Sequence, residues 1–235
     1  MAVHIRPTAS LAPRALLPGD PGRALALAQL LLLEPKMFNH NRGLWGYTGE
    51  AQDGELLTIQ STGMGGPSAA IVLEELCDLG LQRAIRIGTC GALDVRLTFG
   101  DLVVADAALA DDGTSRALGA GDRVDADRGL VAALRDAAGD GAPVGPVAST
   151  DLFYDPRPAR ARAWIDAGAL AVEMEAATVL RVAELRGIAA ACLLTVSDVV
   201  DADGARQRID DDALALAAQR LGRAGAAALR RSGSS

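Results

Sequence analysis

Residues 190–200 read AACLLTVSDVV, from Ala190 to Val200. The run is long, apolar and partly β-branched, which fits a strand buried on both faces under helices. Its last third turns polar at Thr195-Val196-Ser197-Asp198. In open α/β sheets, ligands bind at the carboxyl ends of the strands. An aspartate in that apolar setting can serve as an acid, and the plainer alternative is a cap on the next element.

Elements alternate on either side of this run. Leu56–Ser61, Ala84–Gly88 and Asp101–Ala105 read as strands. Pro67–Leu79 reads as a helix with an apolar face and Gly80 as its stop. Further helices are expected over Val124–Ala138, Arg157–Ala167 (closed by Gly168), Glu175–Arg186 (closed by Gly187) and Asp210–Arg230. Strands alternating with helices argue for an α/β sheet layered by helices. The Gly- and Asp-rich stretch Asp111–Asp127 reads as a long surface loop rather than a domain boundary. One domain over residues 1–235 is expected, with 231–235 as a flexible tail.

Composition narrows the function. The chain of 235 residues holds 47 Ala and 26 Gly but only 7 aromatics, so its core must be aliphatic and small. The net charge is −7, against the basic face that nucleic-acid binding needs. No apolar run approaches the ~18 residues of a membrane span. MAVHIRPTAS has no apolar signal core, so a cytoplasmic protein is the expectation. The three cysteines are widely spaced, and His4 and His40 are too few for a His-rich metal site. The partner expected is a small molecule, with no nucleic acid, membrane or metal.

Several short segments carry chemistry. Pro18-Gly19-Asp20-Pro21-Gly22-Arg23 is a turn before a helix whose free amides, with Arg23, could face an anion. Gly63-Met64-Gly65-Gly66-Pro67-Ser68 joins strand to helix but lacks the third glycine of a dinucleotide loop. Arg86 stands inside an apolar strand and needs either an acidic partner or a bound anion. Next to it, Gly88-Thr89-Cys90-Gly91 reads as a turn, in which Thr89 offers both hydroxyl and amide. Cys90 has no histidine after it and reads as a small buried residue. Glu173 and Glu175 are two apart, so on extended chain they share a face and could reach two hydroxyls of one ligand.

Taken in order, PGDPGRA (18–24), NRGLWGYTG (41–49), GMGGPS (63–68), RIGTCGA (86–92), STDLFY (149–154), VEMEAA (172–177) and TVSD (195–198) resemble the hexameric, bacterial-type purine nucleoside phosphorylases of the nucleoside phosphorylase and uridine phosphorylase superfamily. The resemblance implies a three-layer αβα sandwich with a mixed central β-sheet. It implies reversible phosphorolysis of purine nucleosides to base and pentose 1-phosphate, with phosphate as co-substrate and no cofactor. Gly19, Arg23, Arg86 and Thr89 would hold phosphate. Arg42 and His4 would cross a subunit interface of a homohexamer, a trimer of dimers, to a neighbour's phosphate and sugar 5′-hydroxyl. Met64, Met174 and Glu175 would hold the ribose. Phe153 would stack on the base beside Val172 and Glu173. Asp198, next to Ser197, would protonate the purine N7, with Arg206 or Arg208 closing over it.

Three departures stand out. Val199 follows TVSD where those enzymes often carry His, Thr89 replaces a common Ser, and the segment before Arg206 is shorter. A uridine phosphorylase would carry a Gln–Arg pair near Asp155-Pro156-Arg157-Pro158 and lack the SD acid. A nucleosidase would not need Arg23, Arg42 and Arg86 together, while a 5′-methylthioadenosine-type phosphorylase or nucleosidase is a further alternative. A non-catalytic binding protein would have lost Asp198.

Overall fold

The computed structural model describes residues 2–200 and 206–230. The tail at 231–235 lies outside the described residues. In chain order the elements are β1 (Arg14–Pro18), α1 (Pro21–Leu31), β2 (Leu32–Asn39), β3 (Gly46–Ala51), β4 (Leu56–Gln60), α2 (Gly66–Asp78), β5 (Arg83–Ala92), β6 (Leu102–Asp111), α3 (Gly113–Ala117), β7 (Arg123–Asp125), α4 (Arg128–Ala138), β8 (Val144–Thr150), α5 (Pro158–Asp166), β9 (Ala171–Glu173), α6 (Ala176–Arg186), β10 (Ala189–Val200), β11 (Arg206–Arg208) and α7 (Asp211–Ala228).

The fold is mixed α/β. One 11-stranded sheet runs β11-β10-β6-β8-β9-β5-β1-β4-β3-β2, with β7 on β6. β10 is the strand expected from its apolar run. It lies parallel to β5 on one side and antiparallel to β6 on the other, and Ala190 to Asp198 are buried throughout. Because β5 also pairs with β9, the strands β5-β10-β6-β8-β9 close into a ring rather than a flat layer. At the far end β2 is an edge strand, bulged twice against β3, and it carries Pro35 and Lys36.

Alternation along β5 separates the two faces. Ile85 and Ile87 point toward α7, where Gly225 sits so close that an added Cβ would lie 3.3 Å from Ile87 and 2.9 Å from Leu16. Gly222 likewise leaves room for Leu27 of α1. Small residues therefore let α7 settle on the sheet and on α1, which is where the Ala/Gly-rich composition is used. Arg86 points to the opposite face, toward the start of α6. There α2, α3 and α6 pack together. No helix among the described residues is long and apolar enough to cross a membrane.

Local chemistry explains several helix ends. Asp20 caps α1, accepting from the Arg23 amide at 2.6 Å, with Pro21 in the first turn. Asp210 caps α7 in the same way, and Asp211 and Asp212 favour the positive end of its dipole. Gly187 ends α6 at φ 66°, a left-handed position that suits glycine.

Three expectations are corrected. Val124–Ala138 is not one helix: Arg123–Asp125 is strand β7 on β6, and Asp127 caps α4 from Arg128 onward. Asp111–Asp127 is not a plain loop. It contains α3 and β7, and Asp112 is buried, accepting from the Ser115 amide at 2.8 Å and from Thr178 at 2.8 Å. Gly88–Gly91 is not a turn, because pairing with β10 and β9 keeps it in strand β5. In each case tertiary pairing overrides local Gly and Asp preferences.

The start of the described chain is pinned by Glu75 of α2. Its carboxylate accepts from the amides of His4 at 2.9 Å and Ile5 at 2.6 Å, and from His4 Nδ1 at 2.7 Å. Burial alone would raise this carboxyl, but the bonds from Ile5 and His4 outweigh it and bring it down to about 2. A depressed carboxyl stabilises the fold above its unfolded value of 4.5 and loses that contribution as pH falls toward 2. Glu75→Gln should therefore cost about 1–2 kcal/mol at neutral pH and flatten the stability profile between these two values, measured by denaturant unfolding at stepped pH. A variant as stable as the parent, with an unchanged profile, would contradict this role.

Candidate active site

Strands β1, β4, β5 and β10 run parallel, so their carboxyl ends share one side of the sheet. The loops after β1 and β4 are tied together: the Thr62 amide donates to Pro18 O at 2.9 Å and the Gly63 amide to Gly19 O at 3.0 Å. Gly19 has no room for a side chain, since a Cβ would stand 3.0 Å from Gly63 O. Arg23, in the first turn of α1, is pushed below the usual arginine value by burial. Asp20 opposes that shift, while the like charges of Arg86 and Arg208 add to it. Thr89 is half-buried on β5, in register with Thr195 of β10.

Arg86 is the centre of this side. Of the two partners that the sequence left open, the structure supplies the acidic one. Its Nε donates to Glu173 Oε2 at 2.8 Å, and its Nη2 pairs with Glu175 Oε2. All three side chains are buried. Burial alone would lower the Arg86 guanidinium, but the Glu175 and Glu173 carboxylates outweigh it and hold the group above the usual arginine value. Glu175 is raised by its own burial, against the pull of Arg86. The Arg86 side chain folds back over Gly88, where a Cβ would stand 2.9 Å from Nη2. Its third nitrogen, Nη1, is buried with no hydrogen-bond partner among the described residues. That nitrogen is suited to an anion arriving beside Arg23.

Glu173 and Glu175 do different things despite their shared spacing. Glu173 closes β9 and is saturated: it also accepts from Ser149 Oγ at 2.5 Å and from the amides of Glu175 at 2.9 Å and Ala176 at 2.8 Å. Glu175 stands at the N-terminus of α6 and accepts from the Gly65 amide at 2.5 Å. Gly65 adopts φ 86°, so the glycine loop turns that amide toward the carboxylate. Met174, between the two glutamates, is half-buried, and Met64 lies almost wholly exposed.

The other end of the site forms around Asp198. The β10–β5 register shifts between Val196 and Asp198, so Ser197 is a bulge residue. Ser197 Oγ lies 2.6 Å from Asp198 Oδ2 and 3.3 Å from Cys90 O. Arg206 Nε donates to Asp198 Oδ1 at 3.1 Å, and Arg208 Nη1 reaches Oδ1 at 3.3 Å and Oδ2 at 3.4 Å. The Arg206 guanidinium also lies 4.2 Å from the centroid of the Phe153 ring, and Tyr154 meets that ring edge-on. Val172 borders Gly91 from one side and Asp198 from the other, at 3.4 and 4.0 Å from a Cβ built there. Cys90 is buried and its thiol is pushed well up by burial, which fits a packing role.

His4 and Arg42 sit beside each other. Asn41 Nδ2 donates to His4 O at 2.8 Å, and exposed Arg42 follows in the Asn41–Gly43 turn with φ 57°. Sequence reasoning singled out neither Ser149 nor the Gly65 amide, although both lay inside quoted motifs. A polar residue closing an apolar strand run was the signal available for Ser149. Among the described residues, no group of three or more His, Cys, Asp or Glu is placed to hold a metal ion.

Known proteins share this arrangement's sequence framework. The phosphorylase superfamily model matches residues 13–230. A guanosine phosphorylase of Halorubrum lacusprofundi is 38% identical over 205 residues, covering 85% of this chain and 84% of its own. A DeoD-type purine nucleoside phosphorylase of Caldanaerobacter subterraneus subsp. tengcongensis is 38% identical over 205 residues, covering 84% and 88%. Another of that name from a Jannaschia species is 40% identical over 207 residues, covering 84% and 87%. With a site of this build and a match along most of its length, the chain belongs to the phosphorylase superfamily.

Proposed function

We propose that this protein is a purine nucleoside phosphorylase, a pentosyltransferase that cleaves purine nucleosides reversibly with inorganic phosphate. The observation that carries this reading is the pairing of two centres at one sheet end. One is a buried arginine cage with an unpartnered nitrogen, and the other is an aspartate held by Ser197, Arg206 and Arg208 beside an aromatic ring. The first suits an anionic nucleophile and the second a leaving group that must take up a proton.

In this reading Gly19, Arg23, Arg86 and Thr89 bind phosphate and orient it. A phosphate oxygen forms its bond to the anomeric carbon C1′ as the C1′–N9 bond breaks, and the electron pair leaves with the purine. The transition state has oxocarbenium character. Glu175, with Met64 and Met174 around the ribose, stabilises the developing positive charge through the sugar hydroxyls. Phe153 and Val172 receive the base. Glu173 serves mainly to fix Arg86 and the start of α6. In this reading Asp198 takes up a proton before the chemical step and delivers it to N7, and Arg206 and Arg208, which already donate to Asp198, hold the carboxylate left behind. The chemistry calls for no metal or organic cofactor.

The same reading makes the chain one catalytic domain of a cytoplasmic homohexamer, a trimer of dimers. His4 and Arg42, placed together, would serve a neighbour's site. The exposure of Met64, Phe153 and Arg42 fits a site whose outer wall comes from another subunit.

Three outcomes are expected. Inosine or guanosine should release base only when phosphate is present, followed by chromatography of the products; release in phosphate-free buffer would point to hydrolysis instead. Asp198→Asn should lower purine turnover by about 10²-fold or more, whereas an unchanged rate would remove Asp198 from proton transfer. Mixing subunits of Arg42→Ala with subunits of Asp198→Asn should regain part of the lost activity, because some sites then combine an intact acid with an intact neighbour. No recovery in verified mixed oligomers would place Arg42 outside the neighbouring site.

A further inference from the structure

We infer that Asp111 is a positioning residue for the base end of the site, an inference that rests on the phosphorolysis reading above. The segment that carries Phe153, residues 151–157, is a strap between β8 and α5. Most of it faces solvent: Leu152 and Phe153 are about half exposed, and Tyr154 is almost wholly so. A strap with so little buried apolar surface cannot fix its own shape. Its position must come from its two ends.

Both ends return to one carboxylate. The strap leaves the sheet after Thr150, which lies opposite Asp111 in the β6–β8 ladder. It continues into α5, where Arg160 and Trp164 stand four residues apart and so share a helix face. Both reach Asp111. Trp164 Nε1 donates to Oδ2 at 2.9 Å, and Arg160 Nη2 pairs with Oδ1. Arg116 of α3 approaches Oδ1 at 3.5 Å. The Asp111 side chain is only 9% exposed and belongs to the last residue of β6, so the clasp is anchored in the sheet. The near end of the strap is tied beside it: Asp151 Oδ2 accepts from the Gly113 amide at 2.7 Å. Gly113 is two residues beyond Asp111, so both ties converge on the corner between β6 and α3.

The clasp has a second route to the same place. The Trp164 ring is buried with Ala148 and Ala169, and Val172 and Leu93 pack against that cluster. Val172 is a wall of the base end in the proposed reading. Asp111 fixes the indole N–H, and with it the ring on which this wall rests. Asp155 and Arg157 hydrogen-bond each other, which shapes the strap without tying it to the sheet. Arg206 meets the Phe153 ring from β11, a contact that depends on where the strap puts that ring.

The consequence is kinetic. Stacking by Phe153 acts on the base in the ground state and the transition state alike. Loosening the strap therefore weakens nucleoside binding and spares the chemical step. The phosphate residues stand on other elements, β5, α1 and the loop before α1, and should not feel the change.

The test compares the parent with Asp111→Ala, Asp111→Asn and Trp164→Phe. Inosine and phosphate are varied in turn, and hydrogen exchange is followed over residues 151–166. Asp111→Ala should raise KM for inosine at least about fivefold, with kcat and the phosphate KM within about twofold of the parent. Exchange over 152–157 should speed up. Trp164→Phe keeps a ring and loses one donor, so it should shift both readouts the same way by less. Asp111→Asn retains an acceptor and should lie nearer the parent than the alanine variant. A merely structural role would reduce the amount of active protein, and so the apparent kcat, with KM for inosine unchanged. That result would overturn the inference, as would unchanged exchange in the strap. If Asp111→Ala does not fold, the other two variants decide by the same readouts. Absence of phosphate-dependent base release in the parent would sink the phosphorolysis reading instead. Exchange over 152–157 would then still judge whether Asp111 holds the strap.

Discussion

One buried positive charge, that of Arg86, organises the functional end of this molecule. Arg86 lies within the sheet, where an uncompensated guanidinium would be prohibitive. Glu173 and Glu175 neutralise it, and in doing so they fix the end of β9, the start of α6 and, through the Gly65 amide, the glycine loop before α2. Removing one partner of such a group typically costs about 3–5 kcal/mol, because the others remain buried and unpaired. The cage is thus structural and functional together. In the proposed reading, the guanidinium that holds the sheet ends in place is the one that would receive phosphate.

Much of this was legible in the sequence, because the decisive signals were local. The apolar run before Asp198 gave a buried strand, and the VEMEAA spacing put two carboxylates within reach of one group. Arg86 announced its need for a partner by standing in an apolar strand. Illegible were the features set by distant pairing. Gly88–Gly91 looks like a turn and becomes strand because β10 and β9 supply its partners. Arg123–Asp125 has no strand signature and joins β6 at an edge. The unlike roles of Glu173 and Glu175 depend on Ser149 and Gly65, which lie 24 and 110 residues away from them.

The acid end follows a different logic. A bulge at Ser197 breaks the regular alternation of β10 just before Asp198. The short partner strand β11 then places Arg208 directly across from it. Sheet geometry, rather than a freely moving loop side chain, delivers both halves of the ion pair. That arrangement restricts how the carboxylate can turn and ties its orientation to backbone pairing.

Closing β5-β10-β6-β8-β9 into a ring leaves few strand edges exposed, and β2 is the longest of them. It is poorly suited to recruit another strand. Pro35 lacks an amide proton, Lys36 (the one lysine in the chain) adds charge, and two bulges break the ladder. An aliphatic, alanine-rich protein with an open flat edge would be prone to stack into fibrils while folding. Here that route is blocked at the margin of the sheet.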